Sequence, residues 1–195
     1  MRSSILQWLE EHVPASRLQH ILRVETFARE LAHHHDLNSD KAAQAGLMHD
    51  LAKYFKPKKL LKWARKEGLE IDSILAETPH LLHADVSAIV ARDEFGVSDP
   101  VILQAIANHT LGQPGMDELS CIVFLADTLE PGRGETEALH ELRQVCQKNL
   151  AQAVWMTCDY TLQHLIQTRR AIHPRVILTR NWFLKTTKSS VTKAV

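Results

Sequence analysis

The sequence predicts an all-α protein folded as a single-domain helical bundle, and three observations carry this. Apolar residues recur at i, i+3, i+4 and i+7 in one segment after another. Asp, Asn, Ser or Thr, in places followed by Pro, stands ahead of those segments as a helix start. The alternation of β-branched residues that marks strands is missing throughout. At 195 residues, 45% of them hydrophobic and 24% charged, the chain fits one globular domain that buries a substantial core.

The elements follow in order. Ser16 followed by Gln19 is a capping-box start, after which Val24, Phe27, Ala28 and Leu31 fall at helical spacing with His20 on the same inward stripe. Asn38-Ser39-Asp40 begins a helix whose inward face holds Ala42, Ala45, Gly46 and His49, so the pair His49-Asp50 ends an apolar helix. Thr78-Pro79 opens a helix that includes His83 and stops at Gly96. Asp99-Pro100 opens another, from Val101 to about Asn108, which delivers His109 before Thr110-Leu111-Gly112 turns the chain. A helix from Asp117, with Leu119, Ile122, Val123 and Ala126 inward, sets Asp127 at the edge of its stripe, and Pro131-Gly132 ends it. Residues 135–170 form two helices divided near Asn149, with His173-Pro174 closing the second. Residues 185–195 are polar, basic and patternless, and are expected to be a disordered tail on a domain of residues 1–184.

Composition narrows the function. Lys plus Arg equals Asp plus Glu at 23 each, so charge gives no reason to expect a nucleic-acid or membrane partner. The first residues lack the pattern of a signal peptide, and no apolar run approaches the roughly 20 residues needed to span a bilayer, so the chain is expected in the cytoplasm. Cys121, Cys146 and Cys158 are odd in number and have no C-x-x-C spacing; they are expected as reduced packing residues. Twelve histidines are an excess that suits metal or acid–base chemistry.

Four helices present a His or Asp inward or at their end, which is how helical proteins build metal sites in a bundle core. The set His20, His49, Asp50, His83, His109 and Asp127 offers nitrogen and carboxylate oxygen without sulfur. Such a set suits iron, manganese, cobalt or zinc, and with room for water it leans toward an octahedral iron or manganese ion. A carboxylate buried at position 50 or 127 needs a counter-charge, which a cation supplies. Successive helical residues diverge by about 100°, so His49 and Asp50 serve one ion only where the helix ends or bends. Taken alone, an inward His20 is more often a satisfied core histidine than a ligand; it is the ordered set that outweighs this. His33, His34 and His35 are set aside as a solvated helix end. The basic run Lys56, Lys58, Lys59, Lys62, Arg65 and Lys66 is set aside as a solvated face, and Trp63, Trp155 and Trp182 as core residues.

His20, His49-Asp50 with Lys53 one turn on, His83, His109 and Asp127, in that order, resemble the HD-domain superfamily of metal-dependent phosphohydrolases over roughly residues 16–131. Closer matches are His49-Asp-Leu-Ala-Lys53, His83-Ala, Ala105-Ile-Ala-Asn-His-Thr-Leu-Gly112 with Met116, and Phe124-Leu-Ala-Asp-Thr-Leu-Glu-Pro-Gly-Arg133. These look like the YqeK family, whose members hydrolyse diadenosine tetraphosphate symmetrically to two ADP. Arg170-Ala-Ile-His-Pro-Arg175 and Arg180-Asn-Trp extend the likeness to nearly the full chain.

The resemblance implies an HD-type bundle with its metal site in the core. It implies iron first, with manganese, cobalt or zinc as alternatives, held by His20, His49, Asp50 and Asp127. His83 and His109 then face the phosphates or hold a second metal ion. Substrate contacts are implied at His20, Lys53, His83, His109, Thr110, Asp127, Arg133, Arg170, His173 and Arg175. The expected reaction is attack of an activated water on the polyphosphate bridge, with catalytic roles for Lys53, His83, His109 and Asp127 and the general base among the last three. A dinucleoside polyphosphate and its ADP product are the expected partners, with no nucleic acid or membrane, and a homodimer as an admissible assembly.

Two other functions compete. One is another HD nucleotide phosphohydrolase, a nucleotidase or phosphodiesterase. Alarmone hydrolases carry Glu-Asp after the HD pair where this chain has Lys53-Tyr54, and the Gly-Tyr-Pro signature of the cyclic-dinucleotide subfamily is absent. The other is a non-catalytic nucleotide sensor, against which stands the intact set of six His and Asp positions.

Overall fold

The computed structural model describes residues 1–192, with side chains through residue 188, and shows helices with no strand among the described residues. Helix α1 (Arg2–His12) buries Ile5 and Leu9, and its Arg2 forks onto Glu25 at 2.8 and 2.9 Å. Helix α2 (Ala15–His34) buries His20, Ile21, Val24, Ala28 and Leu31 on one stripe. The capping box expected at Ser16 does not form: the helix begins at Ala15, behind Pro14 at φ −62° and ψ 152°, without a side-chain cap. Pro14 already sets the backbone angle that starts the helix.

Helix α3 (Ser39–Met48) starts as expected, with the Asn38 side chain accepting from the Lys41 amide. It lies close against α2 because residue 46 is glycine, where a Cβ would stand 3.2 Å from Glu25 Cα and from the Val24 carbonyl oxygen. The basic run begins at Lys56, the N-cap of α4 (Pro57–Lys66), and continues along that helix, which buries Leu60 and Ala64 and turns its lysines to solvent. The short α5 (Ser73–Glu77) is capped by Asp72.

The helix expected from Thr78-Pro79 divides in two. A 3-10 turn (Pro79–Leu82) comes first, without a cap bond from Thr78, and α6 (His83–Phe95) follows, ending at Gly96 in the left-handed region. Helix α7 (Pro100–Asn108) and α8 (Glu118–Leu129) are capped by Asp99 and Asp117, as the sequence indicates. Residues Leu119 to Ala126 are all buried, so α8 is the central rod against which α2, α7 and α10 (Leu150–Gln167) pack. A 3-10 corner at Pro131–Arg133 leads to α9 (Glu137–Lys148), and Asn149 divides α9 from α10, capping the latter at the Gln152 amide.

His173-Pro174 opens a helix instead of only closing one: α11 runs Pro174–Thr192. Proline suits a first helical turn, where its missing amide costs nothing, and Val176, Thr179 and Phe183 supply the buried stripe. Residues 185–192 of the expected disordered tail are therefore helical, while 193–195 lie outside the described residues. Trp63 and Trp155 pack against the core, but Trp182 is 42% exposed and lies over Gly115. The three cysteines are buried and unpaired, and burial pushes the Cys146 thiol up to about 11 and Cys158 up to about 12. No helix among the described residues is long and apolar enough to cross a membrane.

Candidate metal centre

Six side chains from five helices converge. His20 comes from inside α2, His49 and Asp50 from the end of α3, His83 from the start of α6, His109 from the end of α7, and Asp127 from the last turn of α8. Helix α3 stops at Met48, His49 is its C-cap, and the chain turns through residues 49–54. The adjacent pair stands at this helix end, where His49, still at helical φ −58° and ψ −33°, and Asp50 meet through their side chains. His49 Nε2 lies 3.2 Å from Asp50 Oδ2 and 3.8 Å from Asp127 Oδ1, and His20 Nε2 lies 3.0 Å from Asp127 Oδ1. His83 Nε2 and His109 Nε2 stand 3.3 and 3.7 Å from Asp50 Oδ1, and 3.0 Å from each other.

Ring orientation shows which atoms face inward. His49, His83 and His109 each place Nδ1 on a backbone carbonyl, of Gly46, His80 and Ile106, at 2.6, 2.6 and 2.7 Å. A carbonyl only accepts, so in each neutral ring Nδ1 carries the hydrogen and the bare Nε2 points inward. Among the described residues, His49 Nε2 and both Asp50 oxygens are buried without a hydrogen-bond partner. Converging acceptors of this kind are costly unless a cation joins them. Ligand atoms about 2.1 Å from one ion lie about 3 Å apart in neighbouring positions and about 4 Å apart in opposite ones. The groups His20, His49, Asp50; His49, His109, Asp127; and Asp50, His83, His109 each keep their ligand atoms within 4.8 Å of one another. The residues present thus fit a divalent metal.

Burial alone would raise the Asp50 and Asp127 carboxyls, but the neighbouring imidazoles outweigh it. His49 and His83 hold Asp50 well below the usual carboxylate range, and His20, His49 and His109 do the same for Asp127. Burial would lower the His49 imidazole, yet Asp50 beside it holds it above its usual value. His109 falls well below its usual value through burial and the adjacent His49 and His83. Both carboxylates are therefore ionised at neutral pH, as metal binding requires.

Cations ring the centre. Lys53 Nζ is 3.1 Å from His83 Nε2, and burial, aided by Arg17 and Arg133 and opposed by Asp50 and Asp127, lowers its ammonium below the usual value. Arg133 reaches Asp127 Oδ1 at 2.6 Å and the Asp127 carbonyl oxygen at 2.8 Å. Thr110 Oγ1 sits 3.2 Å from His83 Nε2 and 3.0 Å from His109 Nε2. His173 and Arg175 stand apart, lining a cavity of about 340 Å3 with Asp72 and Asp85. His173 Nε2 pairs with Asp72 at 3.0 Å and Arg175 with Asp85 at 3.8 Å. Burial raises the Asp85 carboxyl, opposed by Arg175 and His83, and Leu82, the residue before His83, also lines this cavity. Arg170 is exposed and acts electrostatically on His80 together with Lys53 and His83.

Sequence reasoning missed two residues. Arg17 Nε lies 3.2 Å from Asp50 Oδ2 and lines a 250 Å3 pocket with His20, Tyr54 and Arg133. Glu130 is 1% exposed and accepts from His20 Nδ1 at 2.9 Å and from Arg23 Nε at 2.5 Å. Arg17 stands one helical turn before His20 on the same face, a spacing that is the only sequence signal for it. Glu130 falls inside the Phe124–Arg133 match, but nothing local marks it as the partner of His20.

Comparison with known proteins matches residues 17–132 to the HD domain family. Proteins named symmetrical bis(5'-nucleosyl)-tetraphosphatase from Bacillus subtilis and Halalkalibacterium halodurans are each 33% identical over 183 residues, spanning 94% of this chain and 97% of the relative. A crystal structure from Clostridium acetobutylicum, described as a predicted HD superfamily hydrolase involved in NAD metabolism, superposes with a TM-score of 0.91 at 31% identity. It covers 95% of this chain and 98% of that one.

Proposed function

The chain belongs to the HD-domain family, and from that premise we propose that it is a metal-dependent hydrolase that cleaves diadenosine tetraphosphate symmetrically to two ADP. The observation that carries this is the convergence of four imidazoles and two carboxylates in three overlapping groups of ligand-type atoms, ringed by Arg17, Lys53 and Arg133. The names of relatives that align over nearly the whole chain support the substrate.

His20, His49, Asp50 and Asp127 hold the metal, with iron the first candidate for a nitrogen and oxygen donor set. When bound, a divalent ion neutralises phosphate charge and lowers the pKa of water. Lys53 and Thr110 next to His83 and His109 favour a phosphate-facing role for that pair, since a second cation there would sit against the Lys53 ammonium. Arg17, Lys53 and Arg133 balance the charge of the polyphosphate bridge, the arginines by forked contacts. His173 and Arg175, which line the 340 Å3 cavity, bind a nucleoside diphosphate end together with Arg170. Unpaired, buried cysteines suit a cytoplasmic enzyme.

The experiment is incubation of the iron-loaded protein with diadenosine tetraphosphate and chromatography of the products. Two ADP is the expected result; AMP with ATP, or no cleavage, would sink the proposal.

A further inference from the structure

The four imidazoles of the centre are fixed through Nδ1 in two different ways. His49, His83 and His109 stand at helical ends or junctions, and each donates to the carbonyl three residues back. Carbonyls in a last turn keep spare acceptor capacity, so the local backbone supplies the partner. His20 lies inside α2, where the carbonyls behind it are engaged in the helix's own bonds. Its Nδ1 partner is instead the Glu130 carboxylate, 110 residues along the chain.

Glu130 is surrounded by donors. Besides His20 it takes Arg23 Nε at 2.5 Å, Arg23 Nη2 at 3.3 Å and the Gly132 amide at 2.5 Å. A Cβ at position 132 would run into the Arg23 guanidinium, so glycine there leaves the arginine its place on Glu130. A carboxylate so surrounded acts only as acceptor, which makes His20 Nδ1 the donor and leaves Nε2 facing Asp127 Oδ1 at 3.0 Å. We propose that Glu130 is a positioning residue for the metal, its carboxylate fixing the tautomer and orientation of His20 so that Nε2 is presented to the ion. This rests on the assignment of His20 as a ligand.

The test compares full-length wild type, Glu130→Ala, Glu130→Gln and Arg23→Ala. Manganese affinity is read by chelator competition and elemental analysis. The histidine tautomers of the metal-free proteins are read by 15N spectroscopy of labelled side chains. Glu130→Ala is expected to weaken metal binding about 10- to 100-fold, with Glu130→Gln intermediate because an amide oxygen still accepts from Nδ1. Arg23→Ala, which spares the Glu130–His20 bond, is expected to stay close to wild type. In the spectra, the His20 Nδ1 is expected to hold its hydrogen in wild type and to share it between the two ring nitrogens in Glu130→Ala, while His49, His83 and His109 keep their signals. Wild-type affinity or an unchanged His20 signal in Glu130→Ala would overturn the inference, and so would an Arg23→Ala defect equal to that of Glu130→Ala. A wild type that binds no metal would overturn the ligand assignment beneath it.

Discussion

Asp50 is the residue on which the centre turns, because its two oxygens face three imidazoles and one guanidinium from within the core. Asp50→Ala is expected to lose metal and turnover together, metal content falling at least about 100-fold below wild type at equal supply; full metal content with a normal rate would refute the assignment. Arg17 offers a second test. A charge-assisted hydrogen bond is worth about 1.5–3 kcal/mol, so Arg17→Ala should cut kcat/KM by about 10- to 100-fold while leaving metal content unchanged by elemental analysis. At this scale the six ligand-type residues were legible because each lies at a helix start, a helix end or on an inward stripe. Glu130 was not legible, since its part depends on a partner 110 residues away that no local periodicity announces.

Helix punctuation explains how much of the elements could be read. Asn38, Asp99, Asp117 and Asn149 cap helices as their side chains indicate, each accepting from an amide two or three residues on. Proline is the ambiguous mark: it suits both the end of one helix and the first turn of the next, and α11 was lost to that ambiguity. Helix α11 matters to the centre because it leans on the loop that follows His109. Thr179 Oγ1 shares its hydrogen between the Arg175 carbonyl of its own helix at 2.8 Å and the Leu111 carbonyl at 3.3 Å, and a Cβ at Gly112, whose φ is +62°, would stand 2.6 Å from Thr179 Cγ2. Gly112→Ala therefore meets both left-handed backbone strain and a clash, together about 2–4 kcal/mol. Adding Thr179→Ser, which removes the methyl and keeps the hydroxyl, should recover part of that loss in denaturant melts. A double variant no more stable than Gly112→Ala would show that the contact does not hold the loop.

Over the whole molecule, a metal held by the proposed ligands would be a cross-brace between α2, the end of α3 and α8, the three places from which those residues arise. Ligands that bind only the folded state stabilise it by mass action, about 2.7 kcal/mol at 100 times the dissociation constant. For a chain of this size that corresponds to about 5–10 °C in Tm. Stripping the metal with a chelator should lower Tm by about that amount, and re-adding manganese or iron should restore it; a Tm indifferent to metal would argue against a shared centre.

The two ways of holding the imidazoles bear on how the chain folds. His49, His83 and His109 find their Nδ1 partners three residues away, contacts that form as soon as the local turn forms. The His20–Glu130 pair closes a loop of 110 residues, which carries a larger closure entropy and waits on long-range collapse. Three rings of the centre are thus oriented by short-range order, and the fourth is set only when α2 meets the corner after α8.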